Sequence, residues 1–198
     1  MNAPIRIDTD PKRAKVLDGA MKVFLTYGYQ RVTMEDIARA AEISRPALYL
    51  LFKNKADIYR ALGAALLERS AEAAEQELAK DGPFVERMLA AIERSLIAMM
   101  KTITDSPHGA ELLDHKNTLA ADLAALWRDR LRQSFRKAML AEAKRNEVDL
   151  AARGLTADAL ADLLLDGLEG MKSRITDAAE QRKSAERLVK VIALSLQA

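Results

Sequence analysis

The chain contains two histidines, His108 and His115, with Glu111 between them. On a helix these three side chains would share one face at i, i+3 and i+7, and imidazole and carboxylate groups at that spacing can hold a metal ion. A contact with a bound ligand and a surface or capping role are the alternatives. Because His108 follows Pro107 at a predicted helix start, the helical spacing need not hold there. We therefore predict no metal site and keep His108 as a candidate ligand contact.

Ser106, His108 and Asp114 are of the residue types used in nucleophilic hydrolysis and lie close together in the sequence. The sequence has no nucleophile elbow and no glycine-rich oxyanion loop near them. It also has no phosphate-binding loop and no dinucleotide fingerprint. We therefore predict that the protein is not an enzyme and uses no cofactor.

A different chemistry is indicated by the stretch TMEDIARAAEISRPALYLLF at residues 33–52. Thr33 and Asp36 are spaced as a capping box, with aspartate in place of the usual glutamate, and predict the start of a short helix. Ser44 is a good N-cap for a second helix, and Pro46 is tolerated in its first turn. Two helices joined by a turn of about four residues form a helix-turn-helix, whose second helix can enter the major groove of DNA.

The elements that must position this stretch are predicted to be helices throughout. Glycine (8), proline (5) and aromatic residues (5%) are scarce, and the composition favours helix over sheet. The first three helices are predicted to begin at Pro11, after Thr33 and after Ser44. Later helices are predicted at about 56–80, 83–103, 110–117, 118–147, 156–175 and 182–197, which makes about nine in total.

Charge is unevenly distributed along the chain. Residues 1–55 carry ten Lys/Arg and six Asp/Glu, whereas the remaining residues carry 21 and 23. A basic N-terminal part suits a polyanionic partner. The chain has no cysteine, no signal-peptide pattern and no uninterrupted apolar run of about 18 residues. We therefore expect a cytoplasmic protein with no membrane partner.

Residues 14–62 resemble the DNA-binding domain of the TetR family of one-component transcriptional repressors. The residues that carry the resemblance are Phe24, Gly28-Tyr29, Thr33, Asp36-Ile37-Ala38, Ala40-Ala41, Ile43-Ser44, Leu48-Tyr49, Phe52 and Lys53-Asn54-Lys55. One position departs from the family, because Glu42 stands where glycine is common. A left-handed backbone at Glu42 would cost roughly 1 kcal/mol. Glu42 also places a negative charge near the face that would meet DNA.

The resemblance and side-chain chemistry together imply roles for eight residues. Arg45 would donate two hydrogen bonds to guanine O6 and N7, and Pro46 and Ala47 would offer apolar atoms to a thymine methyl group. Phosphate contacts would come from Thr33, Ser44, Tyr49, Lys53 and Lys55. Simpler roles remain open for these five: a helix cap for the two hydroxyl residues, a core position for the tyrosine, and solvent exposure for the two lysines.

The resemblance also implies an effector site among the middle helices. Apolar side chains on two of the predicted helices, together with His108, could line an adaptable cavity. The candidates are Ile92, Leu96, Met99, Met100, His108, Trp127, Leu131 and Phe135. At helical spacing the same residues also suit an ordinary core.

Finally, the resemblance implies that the last two helices pair with those of a second subunit. Residues 160–171 are apolar over a wide arc and contain Gly167 and Gly170, which allow close helix approach. Apolar side chains on the last helix could complete a four-helix interface: Leu188, Val191, Ile192 and Leu194. Packing within one subunit is the alternative.

We therefore predict an all-α chain with a helix-turn-helix DNA-binding domain at 1–55 and a helical effector-binding and dimerisation domain at 56–198. The predicted function is that of a homodimeric repressor, which binds a near-palindromic operator in double-stranded DNA and is released by a small-molecule effector. The alternative is a helical protein–protein interaction module without specific DNA binding. Glu42 and the few basic residues in the helix that starts after Ser44 would favour this alternative.

Overall fold

The computed structural model describes residues 10–109 and 121–198. Every regular element in these residues is helical, which confirms the predicted class. The α-helices are α1 (Pro11–Tyr27), α2 (Met34–Ala40), α3 (Arg45–Leu51), α4 (Lys55–Leu78), α5 (Phe84–Ile92), α6 (Ala98–Thr104), α7 (Ala121–Arg145), α8 (Ala157–Arg174) and α9 (Ala178–Ser195). A π-helical turn at Glu93–Ile97 lies between α5 and α6, and a 3-10 turn at Ala151–Arg153 precedes α8. The predicted helix at 110–117 lies outside the described residues.

The described residues form two compact units. The head unit consists of residues 10–69, 99–109 and 121–126, and the body unit consists of residues 70–98 and 127–198. Helix α4 belongs to both, because Ile58 and Leu62 pack in the head core whereas Ala71 and Ala74 pack in the body core. The functional boundary after residue 55 stays a prediction. Within the described ranges, no helix is long and apolar enough to cross a membrane.

The core of the head unit braces the helix-turn-helix. One face of α1, which includes Leu17 and Phe24, is fully buried together with Leu48 of α3. The ring centroid of Phe24 lies 5.4 Å from that of Tyr29 and 6.2 Å from that of Tyr59. Burial in this cluster raises the pKa of the Tyr59 hydroxyl. Each such buried aromatic side chain stabilises the unit by about 1.5–3 kcal/mol.

The core of the body unit is centred on α7 and α8. Leu131, Phe135 and Met139 repeat at four-residue spacing on α7, so they share one face, and all three are fully buried. Leu164 of α8 and Val189 of α9 pack into the same cluster. Helix α9 begins four residues earlier than predicted, because the side chain of Asp177 accepts a hydrogen bond from the Glu180 amide and caps it.

Ion pairs also fix α8 against α7. Arg132 donates from Nε to the carboxylate of Asp162 at 2.6 Å, and Arg136 donates to that of Asp158 at 2.8 Å. One turn earlier on α7, Arg128 pairs with Asp166 at 2.5 Å. The hydrogen bond from Arg132 holds the pKa of Asp162 below its usual value. These three ion pairs occupy one side of α8, and another side of that helix is exposed.

Gly19 of α1 lies directly against the turn of the helix-turn-helix. A Cβ atom at Gly19 would lie 2.8 Å from the Ala41 nitrogen and 3.0 Å from the Ala40 carbonyl carbon. Both neighbours are backbone atoms, so relieving the overlap requires α2 to move away from α1. The sequence offers no sign of this contact, because a lone glycine in a helix has no distinctive pattern.

Gly19→Ala is therefore expected to destabilise the head unit by about 1–3 kcal/mol, as overpacking does, although alanine favours helix more than glycine. Thermal unfolding followed by circular dichroism should show a lower Tm. Lys22→Ala, at an exposed position of the same helix, should change stability by no more than about 0.5 kcal/mol. An unchanged or raised Tm for Gly19→Ala would show that α2 can shift away from α1 without loss of stability.

Candidate DNA-binding surface

The capping box at the start of α2 is present as predicted. The Thr33 side chain accepts a hydrogen bond from the Asp36 amide at 3.2 Å, and the Asp36 carboxylate accepts one from the Thr33 amide at 2.9 Å. The Thr33 hydroxyl also donates to the Asp36 carboxylate at 2.6 Å. These hydrogen bonds lower the pKa of Asp36. The helix start is therefore fixed locally, and the cap role of Thr33 is confirmed.

The turn between α2 and α3 has a left-handed backbone at Glu42, the position where glycine is common in the family that the sequence resembles. Glu42 has a φ of 52°, in the left-handed region, and the Ile43 amide donates to the Ala38 carbonyl at 3.0 Å. The Glu42 carboxylate pairs with Lys15 of α1 at 2.7 Å, and this hydrogen bond lowers the pKa of Glu42. The negative charge near the surface is thus compensated by Lys15.

Ser44 caps α3 as predicted, because its side chain accepts a hydrogen bond from the Ala47 amide at 3.3 Å. Pro46 occupies the first turn and is exposed, whereas Ala47 is half-buried. Leu48 is buried and anchors the helix in the head core. Leu50 is 88% exposed, four residues after Pro46, so the two apolar side chains share a face.

Arg45 and Tyr49 form a pair on the exposed side of α3. The Arg45 guanidinium carbon lies 5.7 Å from the centre of the Tyr49 ring, and the Tyr49 side chain is 45% exposed. A core position for Tyr49, which the sequence left open, is therefore wrong. A hydrogen bond with Tyr49 raises the pKa of Arg45. The nearest carboxylate is that of Glu35 on α2, 3.9 Å from an Arg45 nitrogen.

The two lysines after α3 differ in their surroundings. Lys53 is exposed, and its backbone amide donates to the Asp57 carboxylate at 3.0 Å. The Lys55 ammonium instead donates to backbone carbonyls of the segment that follows α1, at 2.7 Å for Tyr29 and 2.8 Å for Val32. The predicted phosphate contact of Lys55 stays a prediction, and its ammonium already has partners within the chain.

The candidate effector residues are divided between the two units. Ile92, Leu131 and Phe135 are fully buried in the body core, and Leu96 and Trp127 are partly buried against it. Met99, Met100 and His108 belong to the head unit. Of the proposed metal face, Glu111 and His115 lie outside the described residues. Among those that are described, no group of three His, Asp or Glu side chains could hold a metal ion.

An open groove of about 410 Å³ lies between α5 and α9 in the body unit. Its wall is mostly apolar and includes Leu89, Ile92 and Ile97. At its rim, Arg182 donates two hydrogen bonds to the Glu93 carboxylate, at 2.5 and 2.6 Å. Ile92 is the one candidate effector residue that lines this groove.

A buried polar chain beside the π-helical turn was not foreseen from the sequence. The indole nitrogen of Trp127 donates to the Ser70 hydroxyl at 3.0 Å, which in turn donates to the Ser95 carbonyl at 2.6 Å. Ser95 is fully buried and donates its own hydroxyl to the Ala91 carbonyl at 2.7 Å. These hydrogen bonds link α4, α5 and α7, and one of them is accepted by a backbone carbonyl of the π-helical turn. No sequence signal marks this turn.

The last two helices expose several large apolar side chains. Leu163 of α8 is 51% exposed, and Val191 and Leu194 of α9 are 61% and 66% exposed. Other members of the predicted interface pack within the chain instead. Ile192 is buried in the body core, and a Cβ atom at Gly167 would lie 2.5 Å from the Leu188 side chain.

A capped α2, a tight turn and an α3 with a polar exposed side define the class of helix-turn-helix DNA-binding proteins. Residues 16–62 match the model of the family described as "Bacterial regulatory proteins, tetR family". This match covers the helix-turn-helix and the start of α4, so this part of the chain is similar to the DNA-binding domain of that family.

Curated relatives match about half of the chain. The HTH-type transcriptional repressor ComR of Escherichia coli (strain K12) is 33% identical over 110 residues, which cover 56% of this chain and 52% of that protein. The HTH-type transcriptional activator FasR of Mycolicibacterium smegmatis is 31% identical over 88 residues, which cover 44% of this chain and 40% of that protein. The chain thus spans about half the length of these relatives.

The fold is shared over nearly the whole chain with solved structures. A TetR-family transcriptional regulator from Mesorhizobium loti MAFF303099 superposes with a TM-score of 0.67 at 18% identity, over 92% of this chain and 95% of that one. This likeness establishes the fold.

Proposed function

We propose that the protein is a homodimeric, ligand-responsive transcriptional repressor that acts in the cytoplasm on a near-palindromic operator. The observation that carries the proposal is the exposed side of α3, where a capped helix start presents Arg45 beside Pro46. The Arg45 guanidinium lies at the surface, where its recorded neighbours are the exposed Tyr49 and Glu35 side chains. The match of residues 16–62 to the family model and the shared fold support the proposal.

In this proposal the side chains of α3 read bases, and the residues around it hold the DNA backbone. Arg45 hydrogen-bonds guanine O6 and N7, and Pro46 and Ala47 contact a thymine methyl group. The exposed Leu50 adds a second apolar contact on the face of Pro46. Phosphate contacts come from Thr33, Ser44, Tyr49 and Lys53.

Dimerisation gives the head enough contacts for specific affinity. One helix-turn-helix makes too few contacts alone, and two related by a twofold axis read both halves of a palindrome. The exposed Leu163, Val191 and Leu194 support pairing through α8 and α9, because apolar side chains on two neighbouring helices are typical of an interface.

Effector release would act through α4, a helix that runs from the head unit into the body unit. In the proposal a small molecule binds among the body helices, near Leu96 and Trp127, and favours a state in which α4 is displaced. The separation of the two α3 helices then no longer fits the operator. A cross-link that fixes the two heads at operator spacing should abolish the effect of the ligand.

The charge balance around α2 and α3 favours a second candidate, a protein–protein interaction module. Glu42 is paired with Lys15, and Glu35 approaches Arg45, so carboxylates offset part of the positive charge of this surface. Such a module would bind its partner without counterion release from DNA, so its affinity would depend little on salt.

The test is selection from random duplex DNA on the purified protein, followed by titration of binding against salt. We expect a palindromic site and an affinity that falls with log salt at a slope of about −0.9 for each neutralised phosphate. Recovery of no preferred sequence, with weak binding at every salt concentration, would reject the repressor and favour the interaction module.

A further inference from the structure

Lys55, the first residue of α4, is enclosed by the segment between α1 and α2. Its ammonium donates to the carbonyl oxygens of Tyr29 at 2.7 Å, Gln30 at 3.2 Å and Val32 at 2.8 Å. The same ammonium lies 4.5 Å from the centre of the Tyr29 ring. We name these three carbonyls and this ring the Lys55 cage. An ammonium has three N–H donors, and the cage accepts all of them.

The electrostatics of the segment explain why a cation is held there. The carbonyls follow the C-terminal end of α1, where the helix dipole is negative, and Gly28 turns the chain with a φ of 84°. A ring face adds a cation–π attraction. A phosphate could engage Lys55 only if the ammonium left these partners. Lys53, two residues earlier, is exposed and has no such obstacle.

The cage also lies next to the start of α2. Val32 directly precedes Thr33, the N-cap residue, and the Val32 amide donates to the Gly28 carbonyl at 3.4 Å. Holding the segment 28–32 against the start of α4 therefore fixes where the N-terminus of α2 lies. A displacement of α4 at this end would carry the segment with it.

We infer that Lys55 is a positioning residue for DNA binding, which locks the segment 28–32 and the start of α2 to α4 and does not itself contact a phosphate. The inference rests on the proposed function. The resemblance to the family implied that Lys55 contacts a phosphate directly. We assign to Lys55 instead the positioning of a segment within the head unit.

The test compares Lys55→Met with the matched control Lys53→Met, since each removes one ammonium and keeps an unbranched side chain. Binding to the selected operator is titrated against salt, well below the Tm of each variant. Lys53→Met should reduce the salt slope by about 0.9 per subunit. Lys55→Met should leave the slope unchanged and weaken binding at every salt concentration, and the amides of Val32 and Thr33 should lose protection against hydrogen exchange.

Lys55→Arg separates charge from geometry. A planar guanidinium fits three converging carbonyls poorly, so this variant should lose amide protection and affinity although it keeps the charge. The inference is overturned if Lys55→Arg binds like the wild type, or if Lys55→Met reduces the slope as Lys53→Met does without a change in exchange. A wild type without sequence-specific, salt-dependent binding would instead reject the proposed function, and the positioning role in DNA binding with it.

Discussion

Replacing Arg45 with alanine is expected to weaken binding to the selected operator by about 2–6 kcal/mol, because each of two subunits would lose a bidentate base contact of roughly 1–3 kcal/mol. This corresponds to a loss of about 30-fold to 10⁴-fold in Kd. The loss should be confined to operators that carry the contacted guanine. Binding of the variant and the wild type to a series of single-base operator changes would identify that base pair.

Two matched variants make the Arg45 result interpretable. Lys53→Ala also removes one cation, but in our proposal Lys53 contacts a phosphate. The loss of affinity in this variant should therefore be similar for every DNA sequence. Tyr49→Phe keeps the ring beside the guanidinium and removes a single hydroxyl, so a smaller and sequence-independent loss is expected. If Arg45→Ala weakened binding to all duplexes equally, Arg45 would be a phosphate contact and the base-reading role would be rejected.

Introducing glutamate at Val191 or Leu194 is expected to dissociate the proposed homodimer. Each side chain would bury its apolar surface against the partner, which stabilises by roughly 1.5–3 kcal/mol per subunit, and a twofold axis doubles the loss to about 3–6 kcal/mol. Sedimentation over a range of concentrations should show a dimer dissociation constant about 10² to 10⁴ times higher. Operator affinity should fall in parallel, because a monomer reads only half a palindrome.

Leu140→Glu is the control for the dimer prediction. Leu140 is also an exposed leucine of the body unit, but it lies on α7, outside the proposed interface. The variant should sediment as the wild type does and bind the operator unchanged. Dimers that persist in both Val191→Glu and Leu194→Glu would show that the subunits associate through another surface.

The parts of the site that could be predicted from the sequence depend on local physics. The Thr33 and Ser44 caps each involve residues within a few positions of one another, and the structure confirms both. A left-handed backbone at Glu42, which the sequence raised only as a condition, is also present. Such hydrogen bonds and backbone conformations follow from short stretches of chain. The helical spacing of Leu131 and Phe135 left both an effector site and a core position open, and both side chains are fully buried in the body core.

Features that depend on contacts between distant residues could not be predicted. Gly19 lies against residues some twenty positions later, and the three acceptors of Lys55 lie 23 to 26 positions earlier. The sequence predicts a phosphate contact for Lys55 because a lysine at this position suits one. The carbonyls that accept hydrogen bonds from Lys55 come close to it only in the folded chain. The π-helical turn at Glu93–Ile97 is likewise stabilised by Ser70 of another helix.

The division of the aromatic residues between the units has an optical consequence. All four tyrosines lie in the head unit, whereas Trp127, the single tryptophan, packs in the body unit and donates to Ser70. Fluorescence excited where only indole absorbs therefore follows the body, and tyrosine absorbance follows the head. One sample thus contains two separate chromophores, one for the part that would meet DNA and one for the part that would meet the effector.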